Sequence, residues 1–179
     1  MITTTGIEET ARMFERIASG APRSEAAAVN AAGRFLRRGM LRDLATDTGM
    51  SSASVGKMKR NGIRATPAIA ADPVYTLRVG TRTLQIISLK AKETATGVSF
   101  RLRGTQQEIP GAFIEESNIK KGRGVFKRTG SPRLPIPRRF AEDTLADLAE
   151  PHVASLVTAT EQELRRRLED EFLTVTRSA

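Results

Sequence analysis

The chain has no cysteine and a single histidine, His152, among 179 residues. Without cysteine there are no disulfides, no thiolate metal sites and no cysteine nucleophile, a usage that suits assembly in a reducing cytosol. One histidine excludes multi-histidine metal sites and histidine relays. A Ser-His-Asp arrangement would have to use His152, directly after Pro151, and no GxSxG signature accompanies it. Aromatic residues make up only 4% of the chain, so its core has to rest on Ala, Leu, Ile and Val. No apolar run approaches the roughly 18 residues that would read as a bilayer span. The first ten residues, MITTTGIEET, have neither a basic start nor an apolar stretch, so no secretory signal is expected. Carboxylates offer no convergent pair either: Glu115 and Glu116 are neighbours in a predicted strand and point to opposite faces. Glu8-Glu9 suits the start of a helix. Gly56-Lys57 fails the phosphate-loop pattern on both sides, with Ser51 before it and Met58 after. The expectation is a non-enzymatic protein with no cofactor and no metal.

Positive charge is present in excess. The formal net charge is +9 and the pI is near 10.8. That balance favours a polyanionic partner, either nucleic acid or an acidic protein surface. The excess is concentrated in one stretch. Between Ser117 and Ala141 stand eight basic residues (Lys120, Lys121, Arg123, Lys127, Arg128, Arg133, Arg138 and Arg139) and no carboxylate. Short apolar runs, Ala112-Phe113-Ile114 and Val125-Phe126, alternate there with turn residues at Pro110-Gly111, Gly122, Gly124, Gly130 and Pro132. The pattern predicts a β-hairpin with a cationic tip that leaves through a proline-stiffened segment.

These residues also carry a resemblance. Ile109-Pro-Gly-Ala-Phe-Ile114, a basic glycine-containing turn, the apolar–basic strand Gly124 to Arg128 and then Arg133-Leu-Pro-Ile136 resemble the minor tail protein Z family of long-tailed bacteriophages. The likeness continues upstream through Leu84–Leu89 and downstream into a charged C-terminal helix. It implies a structural virion protein, assembled in the host cytoplasm. Such a protein is a minor tail or tail-completion component at the head-proximal end of the tail. It forms part of a homo-oligomeric ring, by tail symmetry a hexamer, that completes the tail and positions the DNA end. The implied neighbours are tail-terminator, tail-tube or neck proteins, with non-specific contact to genomic DNA in the lumen and no membrane. On this reading Lys120, Lys121, Arg123, Lys127 and Arg128 are the DNA-facing candidates. Leu134, Pro135, Ile136, Pro137, Arg138 and Arg139 are candidates for subunit contact.

Periodicity divides the chain into an N-terminal helical region (1–62), an antiparallel β-region with the basic hairpin (63–140) and a C-terminal helical region (141–179). The three are expected to form one compact α+β domain. Ile7, Ala11, Phe14 and Ala18 predict a first helix from Gly6 to Ser19, ended by Gly20-Ala-Pro22. A second follows from Glu25 to about Leu44, capped by Ser24, with an Ala-rich face open to close approach. Residues 44–60 have Ala45, Gly49 and Val55 at helix-turn-helix spacing, which keeps open a DNA-binding regulator that reads with Ser51 to Lys59. Tyr75-Leu77-Val79, Thr83–Leu89, Val98-Phe100-Leu102, Ile109–Glu116 and Gly124–Arg128 predict about five short strands in one antiparallel sheet. Lys90 to Gly97 is expected to be a mobile loop, and Leu134–Pro137 an edge or inter-subunit arm. In the last helix Leu156, Leu164, Leu168 and Phe172 form a stripe for the sheet or a partner. Pro151 is expected to break or cap that helix, and Glu161/Arg165, Glu163/Arg167 and Arg167/Glu171 are i,i+4 pairs. A basic nuclease is the third possibility, disfavoured by the lack of a second histidine or a carboxylate cluster.

Overall fold

The computed structural model describes residues 4–58, 62–117, 122–128 and 137–178, with side chains of the first helix from Gly20 onward. Its elements run α1 (Thr4–Thr48), α2 (Ser52–Lys57), β1 (Arg64–Thr66), β2 (Thr76–Arg78), β3 (Thr83–Gln85), a 3-10 turn (Ile86–Leu89), β4 (Lys92–Glu93), β5 (Gly97–Leu102), β6 (Thr105–Pro110), β7 (Ala112–Ser117), β8 (Gly122–Lys127), β9 (Phe140–Thr144) and α3 (Leu145–Ser178). The α+β class holds. The single five-stranded sheet does not: the strands form four small sheets, β1-β2, β3-β9, β4-β5-β6 and β7-β8.

Two compact units emerge, one from residues 1–38, 65–77 and 154–179 and the other from 39–64 and 78–153. Each of the three regions expected from sequence contributes to both. In the first unit the expected two N-terminal helices are one, with Pro22 inside α1. Proline's fixed φ near −65° is itself helical, so what it loses is one hydrogen bond and some clearance from the preceding turn, about 3 kcal/mol. The Ala-rich run that follows favours helix strongly enough to continue. Ala26, Ala28 and Ala32 are buried. The small face of α1 receives an extended segment: Asn30 donates to the Ala68 carbonyl (2.8 Å) and accepts from the Ala68 amide (2.9 Å). The Tyr75 ring lies against Gly33, where any side chain would overlap it. Along α3 the predicted stripe begins buried at Leu156 and turns outward, with Leu168 39% and Phe172 62% exposed. Glu163 pairs with Arg167 (2.8 Å) as expected and also with Arg166 (3.0 Å).

The second unit holds the larger core. Leu44, Val55, Leu84, Ile86, Leu89, Val98, Val125, Leu145 and Leu148 are all buried to 2% exposure or less. β5 follows the predicted alternation, and Val98, Phe100 and Leu102 are its buried residues. The predicted strand Thr83–Leu89 is shortened to β3, because the 3-10 turn buries both Ile86 and Leu89. Part of the expected 90–97 loop is ordered as β4, paired with β5. β5 turns into β6 through Arg103-Gly104, both at positive φ (53° and 73°), the two-residue primed turn that matches strand twist.

α3 starts at a capping box. Thr144 Oγ1 accepts from the Asp147 amide (3.2 Å), and the Asp147 carboxylate accepts from the Thr144 amide (2.7 Å). Pro151 lies within the helix, beyond its unpaired first turn, and does not end it. Among the described residues no helix is long and apolar enough to cross a membrane.

Candidate nucleic-acid interface

The basic stretch builds a hairpin, but the expected strand Ile109–Glu116 is divided at Gly111 (φ 69°), its first two residues ending β6 and β7 starting at Ala112. The expected cationic tip, and the proline-stiffened exit as far as Ile136, lie outside the described residues. β7 and β8 pair antiparallel from Ala112↔Lys127 to Ser117↔Gly122, so alternate residues share a face. Arg123, Val125 and Lys127 share one face, with Val125 buried between the two cations. Arg123 and Arg128 are exposed and Lys127 is half-buried. The register also puts Glu116 opposite Arg123. On the other face Phe113 stacks on Phe126, ring centroids 6.1 Å apart.

After the proline-rich segment the chain returns to the free edge of β8. Arg138 bridges Phe126, and the Arg139 amide donates to the Val125 carbonyl (2.8 Å). The Arg138 guanidinium crosses β8 at Gly124, 5.7 Å from the Phe126 centroid, and its Nη2 donates to the Arg123 carbonyl (2.9 Å). A side chain at position 124 would collide with that guanidinium. Among the DNA-facing candidates, Arg123, Lys127 and Arg128 are therefore carried on one strand and its exit. Lys120 and Lys121 lie outside the described residues, as do Leu134, Pro135 and Ile136 of the subunit-contact set. Pro137 is exposed, whereas Arg138 and Arg139 are half-buried along β8.

A second polar cluster escaped the sequence pattern. Arg103, at the tip of the β5–β6 turn, makes a bidentate pair with Asp143, Nε–Oδ2 2.9 Å and Nη2–Oδ1 2.7 Å. That hydrogen bond, followed by the charge of Arg103, holds the Asp143 carboxyl below its ordinary pKa despite partial burial. The adjacent Gly104 amide donates to the Asp47 carbonyl (3.1 Å), and the Asp47 carboxylate meets His152 Nε2 at 2.8 Å. The single histidine is thus engaged by an aspartate 105 positions away. The local sign of this cluster in the sequence is Arg103-Gly104, a turn pair directly after the alternating run of β5. Its long-range partners leave no such trace.

The helix-turn-helix candidate folds as the end of α1 and a Ser51-capped α2 of six residues, closed by Met58 in an extended conformation, while Lys59 and Arg60 lie outside the described residues. Six residues span about 9 Å of helix axis. Val55 seats α2 in the core and is fully buried. Among the described residues no cluster of three metal-ligating side chains occurs. Comparison with protein-family models, with curated proteins and with solved structures finds no match for this chain.

Proposed function

We propose that this chain is a structural virion protein, a minor tail or tail-completion component at the head-proximal end of a phage tail. Several copies would form a ring whose basic hairpins face the DNA in the lumen. The observation that carries the reading is the β7–β8 hairpin. It gathers Arg123, Lys127 and Arg128 on one strand and its exit, and Arg138 and Arg139 brace that strand from the edge. The same residues hold the IPGAFI…RLPI resemblance to the minor tail protein Z family. A cationic strand held on a folded core attracts phosphates through counterion release and does so without reading sequence. The shortness of α2 gives the regulator reading less support, since a recognition helix has to lie along a groove and present several side chains.

The test is charge reversal at Arg123→Glu, Lys127→Glu and Arg128→Glu in the phage that encodes the chain. An intact ring with impaired DNA retention is the expected result. Normal DNA retention and delivery would overturn the lumen assignment. Tails lacking this subunit would instead give these charges to docking on an acidic tail-terminator or tail-tube surface.

A further inference from the structure

A second concentration of positive charge lies away from the hairpin. Arg64 opens β1, Arg78 closes β2, and these two strands are paired. The chain then turns through Val79-Gly80-Thr81-Arg82 into β3. Gly62, Arg64, Arg78 and residues 79–82 line one concave pocket of about 440 Å³, and no carboxylate is among the described lining residues. All three arginines are exposed.

The backbone beneath the pocket is fixed from two sides. The Gly80 carbonyl accepts from the Ala146 amide in the first turn of α3 (3.1 Å). The Gly62 amide donates to the Met58 carbonyl (2.7 Å), so tightly that a Cβ there would lie 2.5 Å from that oxygen. The turn is therefore held in place. Arg78 and Arg82 both line the pocket, and positive charge gathered at one concavity favours a bound anion.

We propose that this arginine-lined pocket is an oxyanion site that takes backbone phosphates of a nucleic acid. Guanidinium forks match phosphate oxygens in paired hydrogen bonds, and the Thr81 hydroxyl adds a donor at the rim. Nucleic acid is favoured over an acidic peptide by charge spacing. A duplex carries about one charge per 1.7 Å of axis, which several arginines in one pocket can engage together. The site shares only its polyanion with the proposed virion role, and either can fail without the other.

The full-length protein is titrated with a short fluorescently labelled duplex of mixed sequence across a series of salt concentrations. Arg78→Gln/Arg82→Gln is expected to weaken binding and to flatten the log K against log[salt] slope by about 1 per arginine removed. The charge-conserving pair Arg78→Lys/Arg82→Lys should keep most of the slope. Arg82→Gln alone serves if the double variant unfolds, and circular dichroism checks the fold of each. An unchanged slope in the folded variants overturns the site. If poly-glutamate binds as tightly as the duplex and is lost in the same variants, the phosphate assignment is overturned too. Charge reversal of the hairpin, run in parallel, separates the two surfaces. Loss of DNA binding there with none at Arg78 and Arg82 would remove this site and leave the hairpin reading intact.

Discussion

The Arg138 guanidinium lies over the Phe126 ring, 5.7 Å from its centroid, on the strip of β8 that Gly124 leaves bare. Fifteen positions of sequence separate Arg138 from Arg123, whose carbonyl it also holds. The contact fastens the returning chain to the hairpin and so sets where the cationic strand stands.

Gly124→Ala should therefore destabilise the protein through Arg138. The added Cβ would lie 2.8 Å from Nη2 and closer still to Nε. Displacing the guanidinium gives up the hydrogen bond and the cation–π contact, a loss of about 1–3 kcal/mol. Denaturant unfolding measures it. The same substitution in an Arg138→Ala background should cost much less. Equal costs in both backgrounds would show that Arg138 does not rest on this glycine.

Acid should weaken the Arg103–Asp143 tie. The folded-state pKa of Asp143 is lowered, chiefly by the Arg103 hydrogen bond. The folded protein therefore binds fewer protons there than the unfolded chain. The stabilisation is fully present above the ordinary aspartate value of 3.8 and fades as pH falls through the lowered one. Asp143→Asn should lower stability at neutral pH and make it less steeply pH-dependent below about 4. Unfolding free energies measured from pH 2 to 7 test this. Parallel curves for the variant and the parent would contradict it.

The Asp47–His152 contact is expected to hold the fold and to do no chemistry. A double-mutant cycle with Asp47→Asn and His152→Asn should give a coupling of about 0.5–1.5 kcal/mol. On the proposed virion role, His152→Asn should leave infectivity intact wherever the protein still folds. A folded variant that loses infectivity would assign the histidine a further role.

Local patterns were the legible part of this chain. Alternation at Val98, Phe100 and Leu102 identified β5, and the basic run with its glycines identified the β7–β8 hairpin. Proline misled twice. Pro22 and Pro151 read as helix ends, yet both lie within helices, because a penalty of about 3 kcal/mol is local while propensity and packing act over many residues. Strand partners were less readable still. β2 and β3 have three residues each, too few for alternation to mark a neighbour, so one sheet was expected where four form. Long-range polar pairs were invisible for a simpler reason. Nothing near Arg103 names Asp143, 40 positions on, and nothing near Asp47 names His152. The arginine pocket depends on the β1–β2 pairing, which no local pattern announces.

Particle imaging tests the central claim most directly. On the proposed virion role, particles carrying the tagged protein would be purified, and its position and copy number determined by electron cryomicroscopy. The expected result is several symmetry-related copies at the head-proximal end of the tail, with the β7–β8 hairpins turned toward the DNA. A chain present in the lysate but absent from mature particles would contradict it.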